Sequence, residues 1–246
     1  MQEVVAHPGK IGLARYATAS GAILYDRSRL DQPSEQDFDA EALTAAGRVT
    51  GTAPGRGATW FLSAGSGAAE TWVLRHYRRG GWAAIAGDRY LWTGEAQTRA
   101  FRELRLLSRM RELGLPVPQP VAAQVRRSGP LYRADLLTVA IPESNSLATR
   151  VTDPEADRWM PAVGACIRRF HDAGIWHADL NAHNVLLDAE GTVYLIDFDR
   201  ARLRPPGRWA ARNLQRLHRS LSKLARGRGK TVDPALWAAL LAGYET

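Results

Sequence analysis

The stretch at 177–200, HADLNAHNVLLDAEGTVYLIDFDR, constrains this chain more than any other. A His, an Asp, an Asn and a second Asp follow in the order HxDLxxxN and then IDFD. Phosphoryl transfer calls for such a set: one carboxylate accepts a hydroxyl proton, while an amide and a second carboxylate hold Mg²⁺. Val185, Leu186 and Leu187, and again Val193, Tyr194, Leu195 and Ile196, are apolar runs of strand length. Asp188, Ala189, Glu190 and Gly191 between them form a turn cluster. The pattern predicts a β-hairpin that sets Asn184, just before its first strand, beside Asp197, just after its second. Both oxygens then reach one metal. A lone HxD would mark only a hairpin with polar ends; four such residues in this context point to a kinase-like phosphotransferase.

The chain has 246 residues, enough for one substantial core or two small lobes. Its 45% hydrophobic and 24% charged residues are those of a globular protein, and no internal repeat is visible. A net charge of +8 points to an anionic partner: nucleotide, acidic lipid, phosphosugar or nucleic acid. The single cysteine, Cys166, excludes an internal disulfide and reads as a small core residue. Glu3, Lys10 and the polar residues around them do not make a signal peptide, and no apolar run reaches the ~18 residues of a membrane span. A soluble or peripheral protein is expected.

Residues 22–25 (AILY) read as a strand and the segment around 38–46 as a short helix. Gly55 and Gly57 then precede a strand at 71–75. Glycines let backbone N–H groups approach phosphate oxygens, so this loop either covers a nucleotide or is a plain hairpin turn. Arg75 closes the strand and is the candidate cation for the α/β-phosphates. Residues 98–113 carry Phe101, Leu104, Leu107 and Leu113 at near-helical spacing. Glu103 lies on that helix, either orienting Arg75 or paired locally with Arg99 or Arg102 on a solvated face. Arg78, Arg79 and Arg89 share a loop with glycines and tryptophans, a mixture suited to an anionic sugar or phosphate headgroup.

Beyond Pro116, Pro118 and Pro120, residues 121–126 and 131–140 read as an antiparallel pair, and 141–145 as the connection between lobes. A helix starting at Asp153 and Pro154 runs to a stop at Gly174. His171 and His177 read as core or loop-bracing histidines in preference to metal ligands. From Arg200 to Lys230 there are 11 Lys or Arg and no Asp or Glu. Leu214, Leu217, Leu221 and Leu224 recur there at helical spacing, interleaved with Arg212, Arg216, Arg219 and Lys223. The leucines predict a core face. The cations suit a solvated face, a nucleic-acid patch or an anionic membrane. A last helix is expected around Trp237.

These segments together resemble the 3-deoxy-D-manno-octulosonic acid (Kdo) kinase family, within the protein-kinase-like superfamily. GAILYD, GRGATWF, VLRHYRRGG, TRAFRE, GLPVPQPVAAQV, HADLNAHNVLLD, IDFDR and RLHRSLSKL carry the resemblance and span most of the chain. It implies an α+β, protein-kinase-like bilobal fold, with a mostly antiparallel β N-lobe at 1–141 and a mostly helical C-lobe at 142–246. It also implies ATP- and Mg²⁺-dependent phosphorylation of a Kdo hydroxyl, expected at the 4-position, on a Kdo-lipid A precursor. The protein would act peripherally at the cytoplasmic face of the inner membrane, against an anionic membrane surface and without nucleic acid. Carried onto this chain, Asp179 is the base, Asn184 and Asp197 the metal ligands, and Arg75 with Glu103 the phosphate-orienting pair. Gly55 and Gly57 would cover the phosphates, and Arg78, Arg79 and Arg89 would meet the sugar. Arg75 stands where Lys is usual, Ala178 where regulated protein kinases carry Arg, and Asp199 where the Gly of DFG is expected. No APE follows. These departures favour a small, carbohydrate-bearing acceptor over a peptide; another small-molecule or atypical protein kinase of the same superfamily is the alternative.

Overall fold

The computed structural model of the chain describes residues 12–53, 59–64, 70–78, 87–151, 156–229 and 231–246. Their contacts divide into two units: the described residues of Met1–Glu112 and Gln119–Ala140, and those of Leu113–Pro118 and Ile141–Thr246. The short piece Leu113–Pro118, which a boundary at 141 assigns to the first unit, belongs with the second. There the Leu195 N–H donates to the Pro116 carbonyl at 3.1 Å, and Arg169 Nη2 to the Gly114 carbonyl at 2.7 Å.

The first unit is built on an antiparallel sheet. Its strands are β1 (Leu13–Ala17), β2 (Gly21–Asp26), β3 (Val49–Ala53), β4 (Thr59–Ser63), β5 (Thr71–His76), β6 (Tyr90–Leu91), β7 (Pro120–Ser128) and β8 (Leu131–Val139). Their order is β1-β2-β7-β8-β5-β4-β3, with β6 on β8. The centre falls where the sequence is apolar on both faces: residues 120–125 of β7 are all buried, and only its last three emerge. Ile23, Leu62, Leu74, Val121 and Leu137, from five strands, form a core with Phe38 and Leu43. Phe38 ends a single 3-10 turn. Leu43 lies on α1 (Ala40–Ala45), whose first N–H groups are capped by the Asp39 carboxylate. The longer helix α2 (Arg99–Glu112) packs on β7. Its buried stripe is Ala100, Phe101, Leu104, Leu107 and Met110, with Glu103 in line.

The second unit is mostly helical, which makes the chain α+β. It contains β9 (Asn145–Ser146), α3 (Leu147–Arg150), α4 (Ala156–Asp172), β10 (Ile175–Trp176), β11 (Val185–Leu187), β12 (Val193–Leu195), β13 (Arg202–Leu203), α5 (Trp209–Arg226) and α6 (Pro234–Glu245). The Asp153–Pro154 start expected for α4 lies outside the described residues; its end comes where expected, before Gly174 at φ +71°. Cys166 is buried on α4, and desolvation pushes its thiol up to about 12, so it is an inert core group.

Helices α4 and α6 meet through glycines. A Cβ on Gly164 would overlap the Leu240 carbonyl oxygen and stand 2.7 Å from the Tyr244 nitrogen. A Cβ on Gly243 would overlap the Pro161 carbonyl oxygen, with the carbonyl carbon at 2.6 Å. Backbone cannot yield as a side chain does. Helix propensity alone favours Gly243→Ala by about 1 kcal/mol, whereas overpacking costs ~1–3 kcal/mol. We therefore expect a net loss of stability in urea for Gly243→Ala; a gain would mean that the two helices can separate without cost.

Candidate active site

The hairpin forms as the turn cluster requires. β11 and β12 pair antiparallel with Val185 opposite Leu195, and the Ile196 N–H donates to the Asn184 carbonyl at 3.0 Å. Asn184 is thereby set beside the residue preceding Asp197. The turn is closed by Asp188, whose Oδ1 accepts the Thr192 N–H at 2.7 Å. Asp197 is exposed and has φ +65°, a left-handed conformation rare for a residue with a side chain. Such backbone is held by its surroundings and is frequent at functional sites.

Asp179 lies in a loop whose backbone is tied from several sides. Its carbonyl accepts Nδ2 of Asn181 and Nδ2 of Asn184, both at 2.9 Å. The second bond engages the nitrogen end of the Asn184 amide and leaves Oδ1 as its ligand atom. With the Asp197 carboxylate this makes an all-oxygen set, the kind a hard cation such as Mg²⁺ takes. The residues present therefore fit that ion.

His177 is buried and braces the loop. Its Nδ1 accepts the Asp179 N–H at 3.2 Å and its Nε2 bonds the Ile196 carbonyl at 2.9 Å, so Nε2 carries the proton. Burial pushes its pKa down and keeps the ring neutral, which this pattern needs. His171 is also internal: it bonds Tyr244 Oη at 2.7 Å, and burial lowers it to about 4.

Three residues on α5 complete the support, and the sequence reading missed their roles. Asn213 is buried: it accepts the His177 N–H at 3.3 Å and donates to the His177 carbonyl at 2.8 Å. Ser220 Oγ accepts the Ala182 N–H at 3.1 Å. Arg216, grouped above with the cations suited to a membrane, directs both Nε (2.9 Å) and Nη2 to Asp179 Oδ1. The signal was spacing: positions 213, 216 and 220 share the inward side with Leu217, an i, i+3, i+7 set. The side chains of Arg216 and Asp179 are 47% and 46% exposed, and ion pairs that open contribute ~0–1 kcal/mol.

In the first unit the structure joins Arg75 to Glu103. Arg75 Nη2 donates to Glu103 Oε2 at 2.5 Å; the glutamate side chain is 2% exposed and the arginine 25%. Glu103 thus pairs across to Arg75 on β5. Tyr77, unnoticed in the sequence, donates its Oη–H to the same Oε2 at 2.5 Å, and its ring lies under the Arg75 guanidinium at 4.7 Å. Residues 75 and 77 stand on one side of the strand, a period-two relation that could have revealed it. Next to them, His76 Nδ1 bonds Asp135 at 2.6 Å, and Nε2 bonds Asp88 at 3.2 Å. Arg78 and Arg89 are exposed. Arg79, Gly55 and Gly57 lie outside the described residues.

Comparison with known proteins follows the same direction. Residues 40–244 match the lipopolysaccharide kinase (Kdo/WaaP) family. A protein of Xanthomonas euvesicatoria pv. vesicatoria (strain 85-10) is 46% identical over 227 residues, covering 92% of this chain and 90% of that protein. One of Stenotrophomonas maltophilia (strain K279a) is 47% identical over 215 residues, 87% of this chain and 84% of its own. One of Vibrio parahaemolyticus serotype O3:K6 is 39% identical over 213 residues, 86% of this chain and 88% of its own. All three are named 3-deoxy-D-manno-octulosonic acid kinase.

Two measurements probe the first unit. Arg75→Ala and Glu103→Ala should each lower activity, and the double variant should lose less than their sum, with a coupling of about 1–3 kcal/mol; full additivity would mean that the two act separately. The second concerns pH. The hydrogen bond from Asp135 raises the His76 pKa against the opposing effect of burial, and the Asp135 and Asp88 charges add to it. A folded value above the ~6.5 of free histidine gives stability that is fully present below that pH. It is lost as pH rises through the folded value. The stability advantage of wild type over His76→Gln in urea should therefore shrink from pH 6 upward; a flat difference would mean that the His76 pKa is the same in the folded and unfolded chain.

Proposed function

The chain belongs to the lipopolysaccharide kinase (Kdo/WaaP) family, and we propose that it transfers the γ-phosphoryl group of ATP to a hydroxyl of Kdo, the 4-hydroxyl, on a lipid A precursor. Relatives at 39–47% identity over most of both chains carry the Kdo kinase name, which supports the acceptor. The observation that carries the chemistry is the Asn184 amide on the Asp179 carbonyl, which ties a proton acceptor and a metal ligand into one short loop.

Asp179 takes the proton of the attacking hydroxyl, with its backbone held by His177, Asn181 and Asn184 so that the carboxylate keeps its position. Asn184 and Asp197 would hold Mg²⁺. When bound, the ion would supply positive charge that offsets the charge building on the transferring phosphate. Arg75, oriented by Glu103 and Tyr77, would donate to phosphate oxygens, as Lys does in most kinases. Arg78 and Arg89 would meet anionic groups of the acceptor. Among the described residues no helix is long and apolar enough to cross a membrane, and we place the protein peripherally at the cytoplasmic face of the inner membrane. Exposed Arg212, Arg219 and Lys223 of α5 would meet anionic lipid there.

The test is incubation with Mg·ATP and a Kdo-lipid A precursor, followed by mass analysis for one added phosphate and NMR of the product for its position. Product should form with wild type and disappear when EDTA removes the metal. Asp179→Asn should cut kcat by roughly 10²- to 10⁴-fold, the usual contribution of a positioned general base, with ATP binding retained. No phosphorylated product from wild type would refute the assignment, and a near wild-type kcat for Asp179→Asn would remove that residue from the role of base.

A further inference from the structure

Phosphoryl transfer gives a task to Asp179, Asn184 and Asp197 but none to Arg216. The fold does not require this cation on Asp179. The pair is half-exposed, and α5 is already fastened to the loop by Asn213 and Ser220 and buries Leu214, Leu217 and Leu221.

The contact is one-sided. Nε and Nη2 of Arg216 both reach Oδ1, and among the described residues no donor meets Asp179 Oδ2. A guanidinium is a planar fork with two edges able to grip a carboxylate. The Nε–Nη2 edge is on Asp179. The Nη1–Nη2 edge meets no partner among the described residues, at the same half-exposed surface. The surroundings are cationic as well: Arg212 and Arg219 are exposed one turn to either side, and the sequence holds no Asp or Glu from Arg200 to Lys230 to compete for the second edge.

We propose that Arg216 recognises the acid group of the acceptor. Its Nε–Nη2 edge stays on Asp179, and its Nη1–Nη2 edge takes the acceptor's carboxylate in a second bidentate contact. Oδ2 of Asp179 remains for the hydroxyl. No bond is made or broken by this contact. A sugar acid is read at two points of one molecule, carboxylate and hydroxyl, and the fixed span between Arg216 and Asp179 selects which hydroxyl is presented. The inference deepens the Kdo reading and rests on it, because the acid is what that acceptor has and a neutral sugar lacks.

The experiment compares the Kdo-lipid A precursor with the same molecule carrying a primary amide in place of the Kdo carboxyl group. For wild type, kcat/KM should fall roughly 10- to 100-fold from acid to amide, the scale of hydrogen bonds to a charged group. Arg216→Gln should lose a similar factor on the acid and treat acid and amide alike. The loss should lie in the KM for acceptor, with the KM for ATP unchanged. Arg216→Lys, which keeps charge without the fork, should retain part of the preference. An Arg216→Gln variant that still prefers the acid as wild type does would overturn the proposal, and so would a raised KM for ATP alone. If Arg216→Gln fails to fold, wild type decides by itself: equal rates on acid and amide reject the contact. Wild type inactive on both acceptors would instead reject the Kdo reading, and the contact with it.

Discussion

A loop cannot satisfy its backbone through a helix or sheet ladder, and residues 177–184 illustrate how one is held instead. Asn213 meets both the N–H and the C=O of His177, as a neighbouring strand would. The His177 ring joins the Asp179 N–H to the Ile196 carbonyl, linking the loop to the end of β12. Asn181 and Asn184 share the Asp179 carbonyl. Side chains thus take the place of a ladder, and the buried polar groups are paired as burial demands. The carboxylate position and the Asn184 amide orientation both depend on this network.

The first unit solves a different problem. Glu103 is almost fully buried, and an isolated carboxylate there would be costly. It is met by Arg75 and by the Tyr77 hydroxyl. Such a buried pair is weak evidence of stability, although removing one partner from it is costly. The guanidinium is kept partly exposed at the end of β5. Arg in place of Lys brings a planar group, whose central carbon lies 4.7 Å from the Tyr77 ring centroid.

Much of this was legible because it depends on neighbours in sequence. The β11–β12 hairpin follows from two apolar runs and the DAEG turn, and it brings Asn184 next to the Ile196–Asp197 step. The end of α4 at Gly174 follows from a residue free to adopt positive φ. Glu103 was less clear. Its position in line with Ala100, Leu107 and Met110 put it on the buried stripe of α2, yet the nearby Arg99 and Arg102 offered a local alternative. The inward stripe is the better guide, since a carboxylate on it must find its partner on another element.

The sequence by itself determined the hairpin that sets Asn184 beside the Ile196–Asp197 step, and the α+β character of the chain. Only the tertiary structure decided which side chains serve those groups. Arg216 looked the same as Arg212, Arg219 and Lys223, all basic residues along a leucine-patterned helix. What separates it is the side of α5 that faces the loop at 177–184, fastened there by Asn213 and Ser220. Likewise nothing in the spacing of Gly164 and Gly243 announces that two helices touch there. Periodicity records which way a residue faces; what it faces is fixed by packing between segments far apart in the chain.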